Sequence, residues 1–419
     1  MCLGLPAALA FAGLLLERER RARGAALLAF VAAAVGVAAL HEVSTVAGWY
    51  AFAPVDGAFR GLPVDLWLGW AALWGAVPVL FRRAVPLPVA LGLLGWLDLV
   101  AMPALAPLVR LEHTWLIGEA VGLAAVALPA QLLGRWTAAE RHLGARVVLQ
   151  LVVFSAVTLW LVPTAAFELG DGSWAHLDGP LAPVLAQVAL VLAVPGLLAV
   201  REFAVRGGGS PYPWDPPRRL VTTGPYAYVA NPMQLSAVAL LALLAAAAHS
   251  WTLAAATATA VAFSVGVAGV HERHDLAVRL GPPWSEYRRH VRDWWPRWRP
   301  YLPGPAATLW LDEGCAACRS VGGFLRRRGA RRLTLAPAHE HRPPLWRSRY
   351  AGGDGHRERG VAAVARALEH VDLAWAWLGW LLRLPGVAWL AQLVTDAMIA
   401  APHEARPAPE RASGRSTGG

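Results

Sequence analysis

The chain has 419 residues, of which 56% are hydrophobic and only 16% are charged, and its mean hydropathy is +0.42. These values exclude an ordinary soluble globular protein and favour a protein that resides in a membrane. The net charge of +10 is carried by arginine, since the chain contains no lysine. The arginines are distributed between apolar segments instead of forming one basic face, which argues against nucleic-acid binding.

Nine apolar segments approach or reach the roughly 20 helical residues that a hydrocarbon core requires. They lie near residues 3–16, 26–49, 63–81, 85–106, 114–133, 146–167, 181–200, 233–249 and 251–270. The first is short, and its basic run follows the apolar stretch, which is the reverse of the order in a secretory signal peptide. We therefore predict an α-helical polytopic membrane protein with about nine spans.

The arginines alternate between the loops that join these segments. The loops after the second and fourth segments hold only Arg60 and Arg110. The loops after the first, third, fifth and seventh segments hold Arg18, Arg20, Arg21, Arg23, Arg82, Arg83, Arg135, Arg141, Arg146, Arg201, Arg206, Arg218 and Arg219. Because cytoplasmic loops carry an excess of basic residues, we predict an inner-membrane protein with an outside N-terminus and a cytoplasmic C-terminal domain.

Residues 1–170 form the predicted N-terminal set of transmembrane helices, and they contain no motif that indicates a role. Asp98 and Glu119 lie inside predicted spans. Ionisable residues at such positions are costly and tend to mark function. They could line a cavity for a lipid substrate.

A polar loop rich in proline and glycine separates the seventh and eighth predicted spans. Pro211, Pro213, Pro216 and Pro217 prevent a continuous helix there, and the glycines at 207–209 allow sharp turns. Non-helical backbone at membrane depth is tolerated only where it is buried in protein or lines a cavity. The loop is therefore placed to form part of a site.

The motifs that follow this loop are Gly224-Pro225-Tyr226, Asn231-Pro232-Met233, Glu272, Leu276, Leu280-Gly281 and Tyr287. In this order they resemble the catalytic half of the integral-membrane methyltransferases typified by isoprenylcysteine carboxyl methyltransferase and the phospholipid N-methyltransferases. The resemblance covers about residues 200–300. It implies a methyltransferase-like domain at 171–300 that uses S-adenosylmethionine and acts on an amphipathic or lipid acceptor at the membrane.

The resemblance also implies which residues bind the methyl donor, namely Tyr226, Asn231, Pro232, Met233, Leu235 and Glu272. Asn231 and Pro232 could instead cap the helix that begins there. The short turn near residues 248–251 predicts a tight hairpin between the eighth and ninth spans, which would return Glu272 to the same membrane face as Asn231. Glu272 could instead pair with Arg273 or Arg279.

Arg218 and Arg219 are candidate catalytic residues, because two guanidinium groups can hold a substrate carboxylate or phosphate. The alternative is that they anchor the topology. Ala230, Gln234, Ser236 and Arg273 depart from the family pattern. These departures leave open a second interpretation, a membrane protein that has lost methyl transfer and serves as an anchor or carrier for the domain that follows.

Residues 306–400 begin with a short apolar strand that leads to Cys315 and Cys318, followed by a helix and a second strand. This pattern predicts a small α/β thioredoxin-like domain. The spacing of Asp312, Cys315 and Cys318 resembles the DCC family of thiol-disulfide oxidoreductases. By that analogy Cys315 attacks a disulfide of a thiol redox partner and Cys318 resolves the product, and a helix N-terminus favours the thiolate.

Two alternatives remain for the cysteine pair. His339 and His341 could complete a zinc site, or the pair could have no role. Residues 401–419 are rich in proline, arginine and serine with little apolar content, which predicts a disordered tail.

Overall fold

The computed structural model describes residues 3–405, apart from the side chains of residues 267–274. It is mostly helical and divides into two compact units. The first unit comprises Met1–Leu185, Phe203–Arg218 and Leu241–Ala262. The second unit comprises Ala186–Glu202, Arg219–Leu240 and Phe263–Gly419.

Each predicted span contains a helix, and the helices in chain order are α1 (Gly4–Leu16), α2 (Arg20–Ala47), α3 (Val64–Leu80), α4 (Leu87–Ala104), α5 (Trp115–Ala138), α6 (Leu143–Leu169), α7 (Ala182–Gly207), α8 (Pro232–Ala247) and α9 (Trp251–Gly266). Within the described residues, five of them, α2 and α4 to α7, are long and apolar enough to cross a membrane. The other four are shorter apolar helices. By length and composition these helices are those of a helical membrane protein, whereas the count of nine spans stays a prediction.

Small residues allow the helices of the first unit to pack closely. A Cβ atom on Gly75 of α3 would overlap the backbone carbonyl of Ala29 in α2. A Cβ on Gly134 of α5 would lie 3.1 Å from the Ala25 carbonyl oxygen of the same helix α2. Small residues at such contacts let helix backbones approach in membranes. The alanine-rich α2 is thereby enclosed by α3 and α5.

Three of these helices contain a wide turn of π-helix just before a proline. The turns lie at Ala72–Ala76, Leu123–Ala127 and Val157–Leu161, and the prolines that follow are Pro78, Pro129 and Pro163. Proline has no N–H to donate and its ring crowds the preceding turn. Local π adjustment accommodates proline within a membrane helix.

Helices α8 and α9 form a tight hairpin, as the sequence predicts, with only Ala248, His249 and Ser250 between them. The carboxylate of Asp171 accepts hydrogen bonds from the backbone N–H groups of Trp251 and Thr252, at 3.0 and 2.9 Å. These bonds lower the pKa of Asp171 below its usual range. Asp171 thus caps α9 from the loop between α6 and α7.

Four short strands complete the first unit: β1 (Tyr50–Phe52), β2 (Ala58–Phe59), β3 (Leu62–Pro63) and β4 (Val109–Leu111). Strand β1 pairs with β4, and β2 pairs with β3, both in antiparallel register.

The second unit continues with α10 (Gly269–Leu280) and α11 (Pro282–His290), and then forms an α/β domain. The domain contains β5 (Ala307–Leu311), α12 (Ala316–Arg327), β6 (Leu333–Pro337), β7 (Arg349–Ala351), β8 (Arg357–Arg359), α13 (Val361–Leu368), α14 (Leu373–Leu382) and α15 (Pro385–Ile399). The strand order is β6-β5-β7-β8, with β5 parallel to β6 and antiparallel to β7. Its core includes Leu309, Leu325 and Leu368.

Candidate functional site

The segment that carries Gly224-Pro225-Tyr226 runs alongside the segment that follows α11. The backbone oxygens of Ala227 and Tyr228 accept hydrogen bonds from the N–H groups of Tyr301 and Arg297, at 2.8 and 3.0 Å. The hydroxyl of Tyr287, whose side chain is buried, donates to the backbone oxygen of Tyr226 at 2.8 Å. The first and last motifs of the predicted site are therefore adjacent in the fold.

Gly224 satisfies two requirements at this position. Its φ angle is +62°, a conformation that other residues adopt at a cost. A Cβ atom there would lie 2.8 Å from Cγ of Glu202, the last residue of α7 in the second unit. Thr223 donates from its hydroxyl to Glu202 Oε2 at 2.7 Å. The glycine of the motif thus lets the loop close onto a buried carboxylate.

Asn231 lies at the start of α8 and contacts Asp293, a residue that the sequence analysis did not identify. Its Nδ2 donates to Asp293 Oδ1 at 3.3 Å, and its backbone N–H donates to the Asp293 carbonyl at 3.2 Å. The other carboxylate oxygen of Asp293 accepts a hydrogen bond from Arg288 at 2.6 Å. An amide, a carboxylate and a guanidinium therefore converge at the N-terminus of α8.

The remaining predicted donor-binding residues vary in exposure. Tyr226 and Pro232 are buried, whereas Asn231, Met233 and Leu235 are half-buried. Glu272 lies outside the described residues, because only the backbone of its helix is described. The predicted pairing of Asn231 with Glu272 across the hairpin therefore stays a prediction.

Two positions that depart from the family pattern have clear contacts. Ser236 lies against Gly196 of α7, where an added Cβ would be 2.8 Å from the serine Cβ. Gln234 accepts a hydrogen bond from the hydroxyl of Ser264 at 3.1 Å. The small Ser236 preserves a close approach of α7 and α8 within the second unit.

Arg218 and Arg219 belong to different units. The guanidinium of Arg218 pairs with Glu140, and its backbone N–H donates to the carbonyl of Gly207. Glu140 also pairs with Arg21. Arg219 is exposed. That the two guanidinium groups hold one substrate carboxylate or phosphate together therefore stays a prediction, and so does their catalytic role.

Cys315 is the N-cap residue of α12 and follows β5 after a three-residue connection. Its backbone N–H points to the carbonyl of Asp312 at 3.4 Å. Both Cys315 and Cys318 are free thiols and half-buried. Cys315 therefore lies at the N-terminus of α12, and Cys318 lies one turn further along the helix.

Cys318 differs electrostatically from an exposed thiol. Burial raises its pKa to about 11, and the hydrogen bond and charge of Cys315 act in the same direction, while a contact with Ser348 opposes them. The sulfur lies 3.7 Å from the hydroxyl oxygen of Ser348. Cys318 is therefore protonated near neutral pH.

Asp312 is buried three residues before Cys315. One carboxylate oxygen accepts a hydrogen bond from the Gly314 N–H at 2.8 Å, and the other lies 2.6 Å from His403 Nε2. His403 belongs to the segment assigned to the disordered tail. Residues 401–405 contact the domain here and through a bond from the Ala405 N–H to the Leu345 carbonyl. Residues 406–419 lie outside the described residues.

The zinc alternative would require Cys315 and Cys318 to converge with histidines. Among the described residues, no group of three or more His, Cys, Asp or Glu side chains is placed to hold a metal ion. His341 instead packs its ring against Trp310 at 5.0 Å between centroids.

A buried ionic network joins the end of α7 to the α/β domain, and the sequence analysis missed it. Arg383 donates to Glu202 at 2.6 Å and to Glu369 at 2.7 Å. Arg366 donates to Glu369 at 2.6 Å. These four side chains are each at most 5% exposed. Arg383 is the residue from which the network could have been predicted. It is a lone charge in an apolar stretch, and buried charges require partners.

Glu358 of β8 extends the network outward. Burial acts to raise its pKa, but the hydrogen bond from His356 and the charges of Arg383 and Arg201 outweigh burial and lower it to about 2. The carboxylate is therefore ionised under physiological conditions.

A cavity of about 90 Å³ lies beside Gly224, between the segment of residues 222–227 and the α/β domain. Thr222 and Thr223 line one side, and Tyr350 and Arg366 line the other. Small-molecule sites usually span roughly 300–1,000 Å³. The cavity is too small for a nucleotide-sized methyl donor.

In the first unit, Asp98 is buried and accepts hydrogen bonds from the indole N–H groups of Trp70 and Trp74, at 3.3 and 3.2 Å. Glu119 is also buried. Both carboxyl groups thus face protein instead of lipid, as expected for ionisable residues in membrane helices.

Comparisons of this chain with protein-family models, with curated proteins and with solved structures give no match.

Proposed function

We propose that this protein is an integral-membrane enzyme with two connected parts. The methyltransferase-like domain at 171–300 would transfer a methyl group from S-adenosylmethionine to an amphipathic or lipid acceptor. The domain at 306–400 would carry out thiol–disulfide exchange on the cytoplasmic side. Of the two activities, the geometry supports thiol–disulfide exchange best.

The observation that carries the redox proposal is the position of the cysteines between β5 and α12. A parallel β–α–β unit followed by an antiparallel hairpin and a helix is the thioredoxin-like arrangement that the resemblance to the DCC family implies. The order β6-β5-β7-β8 supports it. Helix N-termini stabilise thiolates, whereas Cys318 is held protonated by burial. This asymmetry supports Cys315 as the attacking group.

In the proposed reaction, the Cys315 thiolate attacks a disulfide of the partner, forms a mixed disulfide and releases one partner thiolate. Cys318 then loses its proton and attacks the Cys315 sulfur, which breaks the mixed disulfide and releases the second partner thiolate. The domain ends as the Cys315–Cys318 disulfide, and the partner ends as a dithiol. The partner is reduced by two electrons and the domain is oxidised by two.

The test is to trap the intermediate on the full-length protein. Cys318→Ser should accumulate mixed disulfides with a model disulfide, and Cys315→Ser should form none. Stoichiometric zinc in the purified wild type, with thiols that resist alkylation until a chelator is added, would overturn the redox proposal.

The methyl-transfer proposal rests on the pairing of residues 226–231 with residues 287–301, which brings the two ends of the motif together. When bound, the sulfonium donor supplies a methyl group for in-line displacement by the acceptor. The half-buried Asn231, Met233 and Leu235 would position the donor, together with Glu272. The buried Tyr226 and Pro232 would hold the backbone of that wall in place.

Calorimetry on the purified protein tests donor binding. Glu272→Gln should weaken S-adenosylmethionine binding by about 1.5–3 kcal/mol if the carboxylate makes a charge-assisted hydrogen bond. Glu286→Gln, at an exposed carboxylate of α11, is the matched control and should leave the affinity unchanged. No binding by the wild type would favour the alternative, a membrane anchor or carrier for the redox domain.

The acceptor class remains a choice among phospholipids, isoprenoid acids, prenyl-cysteine and small thiols. Arg219 is exposed, and its guanidinium could hold an acceptor carboxylate or phosphate. Arg218 would have to release Glu140 first.

We further propose that all nine apolar helices cross the inner membrane and that the redox domain is cytoplasmic. The alternation of arginines between loops supports this topology. Asp178→Cys, at an exposed position between α6 and α7, should react with a membrane-impermeant thiol reagent in intact cells. Cys315 should react only after the cells are opened, and labelling of both from outside would contradict the topology.

A further inference from the structure

The last helix of the α/β domain has an exposed apolar stripe. On α15, exposed large side chains recur at intervals of four and then five residues: Trp389 and Leu390, then Leu393 and Val394, then Met398 and Ile399. Residues four apart lie on the same face of a helix. The stripe is therefore one continuous surface, and contiguous exposed apolar surfaces mark sites of interaction with protein or membrane.

A neighbouring side of α15 is bound to its own domain. Gln392 accepts a hydrogen bond from the Val361 N–H at 2.8 Å. Asp396 pairs with Arg347 at 2.6 Å. Four residues after the helix, His403 contacts Asp312. Helices α14 and α15 together have the length and composition of a broken span, but these contacts keep α15 and the chain beyond it on the sheet domain, which argues against α15 crossing a membrane.

Helix α14, which precedes α15, indicates where α15 lies relative to the membrane. Helices α14 and α15 meet at a bend of 88°. Ala376 and Trp380 of α14 pack against Val194 and Leu198 of α7. Val194 precedes Arg201 by seven residues, or about 10 Å of helix. Since α7 is a candidate span with Arg201 at its cytoplasmic end, α14 packs at the cytoplasmic boundary of the hydrocarbon core.

Exposed tryptophans lie on α15 and in the segment that contacts the start of α14. Trp298 accepts a hydrogen bond through its backbone carbonyl from the Leu373 N–H at the start of α14. The side chains of Trp295 and Trp298 are exposed, as is that of Trp389 on α15. Tryptophan is enriched where membrane helices meet the headgroup region.

We propose that α15 lies flat in the cytoplasmic interface of the bilayer, with its apolar stripe among the lipid headgroups and the upper acyl chains. Interfacial helices bind in this way, through one apolar face. The chain that leaves α15 reaches Asp312 within four residues, and Asp312 is three residues from Cys315. The lipid contact therefore holds the cysteine pair close to the membrane surface, so its thiol partner is met at that surface.

Spin labelling of the full-length protein in lipid nanodiscs tests this proposal. The background carries Cys2→Ser, Cys315→Ser and Cys318→Ser, and one nitroxide is attached at Leu393→Cys. Collision rates are measured with oxygen, which concentrates in lipid, and with a water-soluble nickel chelate. Arg327→Cys, at an exposed position on α12 of the same domain, is the control, and Met398→Cys is a second label on the stripe.

We expect the ratio of oxygen to nickel collisions at Leu393 and Met398 to exceed the ratio at Arg327 several-fold. Equal ratios would overturn the proposal and place the stripe in water. Protection from both reagents would also overturn it, because the stripe would then be covered by protein, such as a second copy of this chain. The readout does not depend on thiol chemistry or methyl transfer, so its failure is distinguishable from the failure of either proposed activity; only the side of the membrane rests on the proposed topology.

Discussion

Arg383 Nη2 lies 2.6 Å from Glu202 Oε1, and both side chains are almost completely buried. The two residues are 181 positions apart, one at the end of an apolar helix and the other at the end of α14. The predicted redox domain and part of the predicted methyltransferase-like domain, including Glu202, therefore belong to one packed unit, and a buried ion pair lies where they meet.

We expect Arg383→Met to destabilise the second unit by about 3–5 kcal/mol, because it leaves the buried carboxylates of Glu202 and Glu369 without their partner. Limited proteolysis and thermal melting in detergent would measure the loss. Arg347→Met is the matched control: its ion pair with Asp396 has the same 2.6 Å length but is partly exposed, so its loss should cost at most about 1 kcal/mol. Equal effects of the two substitutions would contradict the structural role of Arg383.

Gly196→Val should separate α7 from α8, because a Cβ at position 196 would lie 2.8 Å from the Cβ of Ser236. Overpacking of this kind costs about 1–3 kcal/mol. Gly92→Val on α4 is the control, since nothing lies within 4 Å of a Cβ added there. A lower melting temperature for Gly196→Val alone is expected. If both variants melt like the wild type, the close contact of α7 and α8 is wrong.

His370 should make the α/β domain sensitive to mild acid. Burial lowers its pKa to about 4, from an ordinary value near 6.5; the carbonyl of Arg331 opposes the shift and the charge of Arg366 adds to it. Between these two values the unfolded chain binds more protons than the folded one, so stability falls as the pH drops. The stability is fully present above about pH 6.5 and declines by up to about 3 kcal/mol towards pH 4.

Melting temperatures of the full-length protein at several pH values would reveal this dependence. His370→Gln should flatten the profile between pH 6.5 and 4, because glutamine does not titrate there. His341→Gln, at a histidine on the domain surface, should leave the profile unchanged. A profile that His370→Gln does not alter would remove His370 as its cause.

Alkylation should distinguish the two thiols. At pH 7 to 8, Cys318 is protonated because burial raises its pKa to about 11, so iodoacetamide should modify Cys315 first. Peptide mass spectrometry of the reduced protein would give both rates. The contact with the Ser348 hydroxyl lowers the pKa of Cys318. Ser348→Ala removes this contact, so it should slow modification of Cys318 further. Faster modification of Cys318 than of Cys315 would reverse the assigned roles.

The sequence by itself determined the features that depend on local patterns. The apolar runs predicted where the helices lie, because backbone groups within a membrane must be paired inside the segment. The short turn at 248–250 predicted the α8–α9 hairpin. The strand before Cys315 and the helix after it were also predicted from the sequence, because the residues next to the cysteines determine both elements.

Tertiary structure alone decided which distant groups meet. Nothing in the pattern around Asn231 indicates that its partner is Asp293, and nothing around Glu202 indicates Arg383, because such pairs form only when helices from separate parts of the chain pack together. The direction in which α15 exposes its apolar stripe was decided in the same way. Composition shows that the helix is apolar, but only the contacts of Gln392 and Asp396 determine which side faces the domain and which side is left exposed.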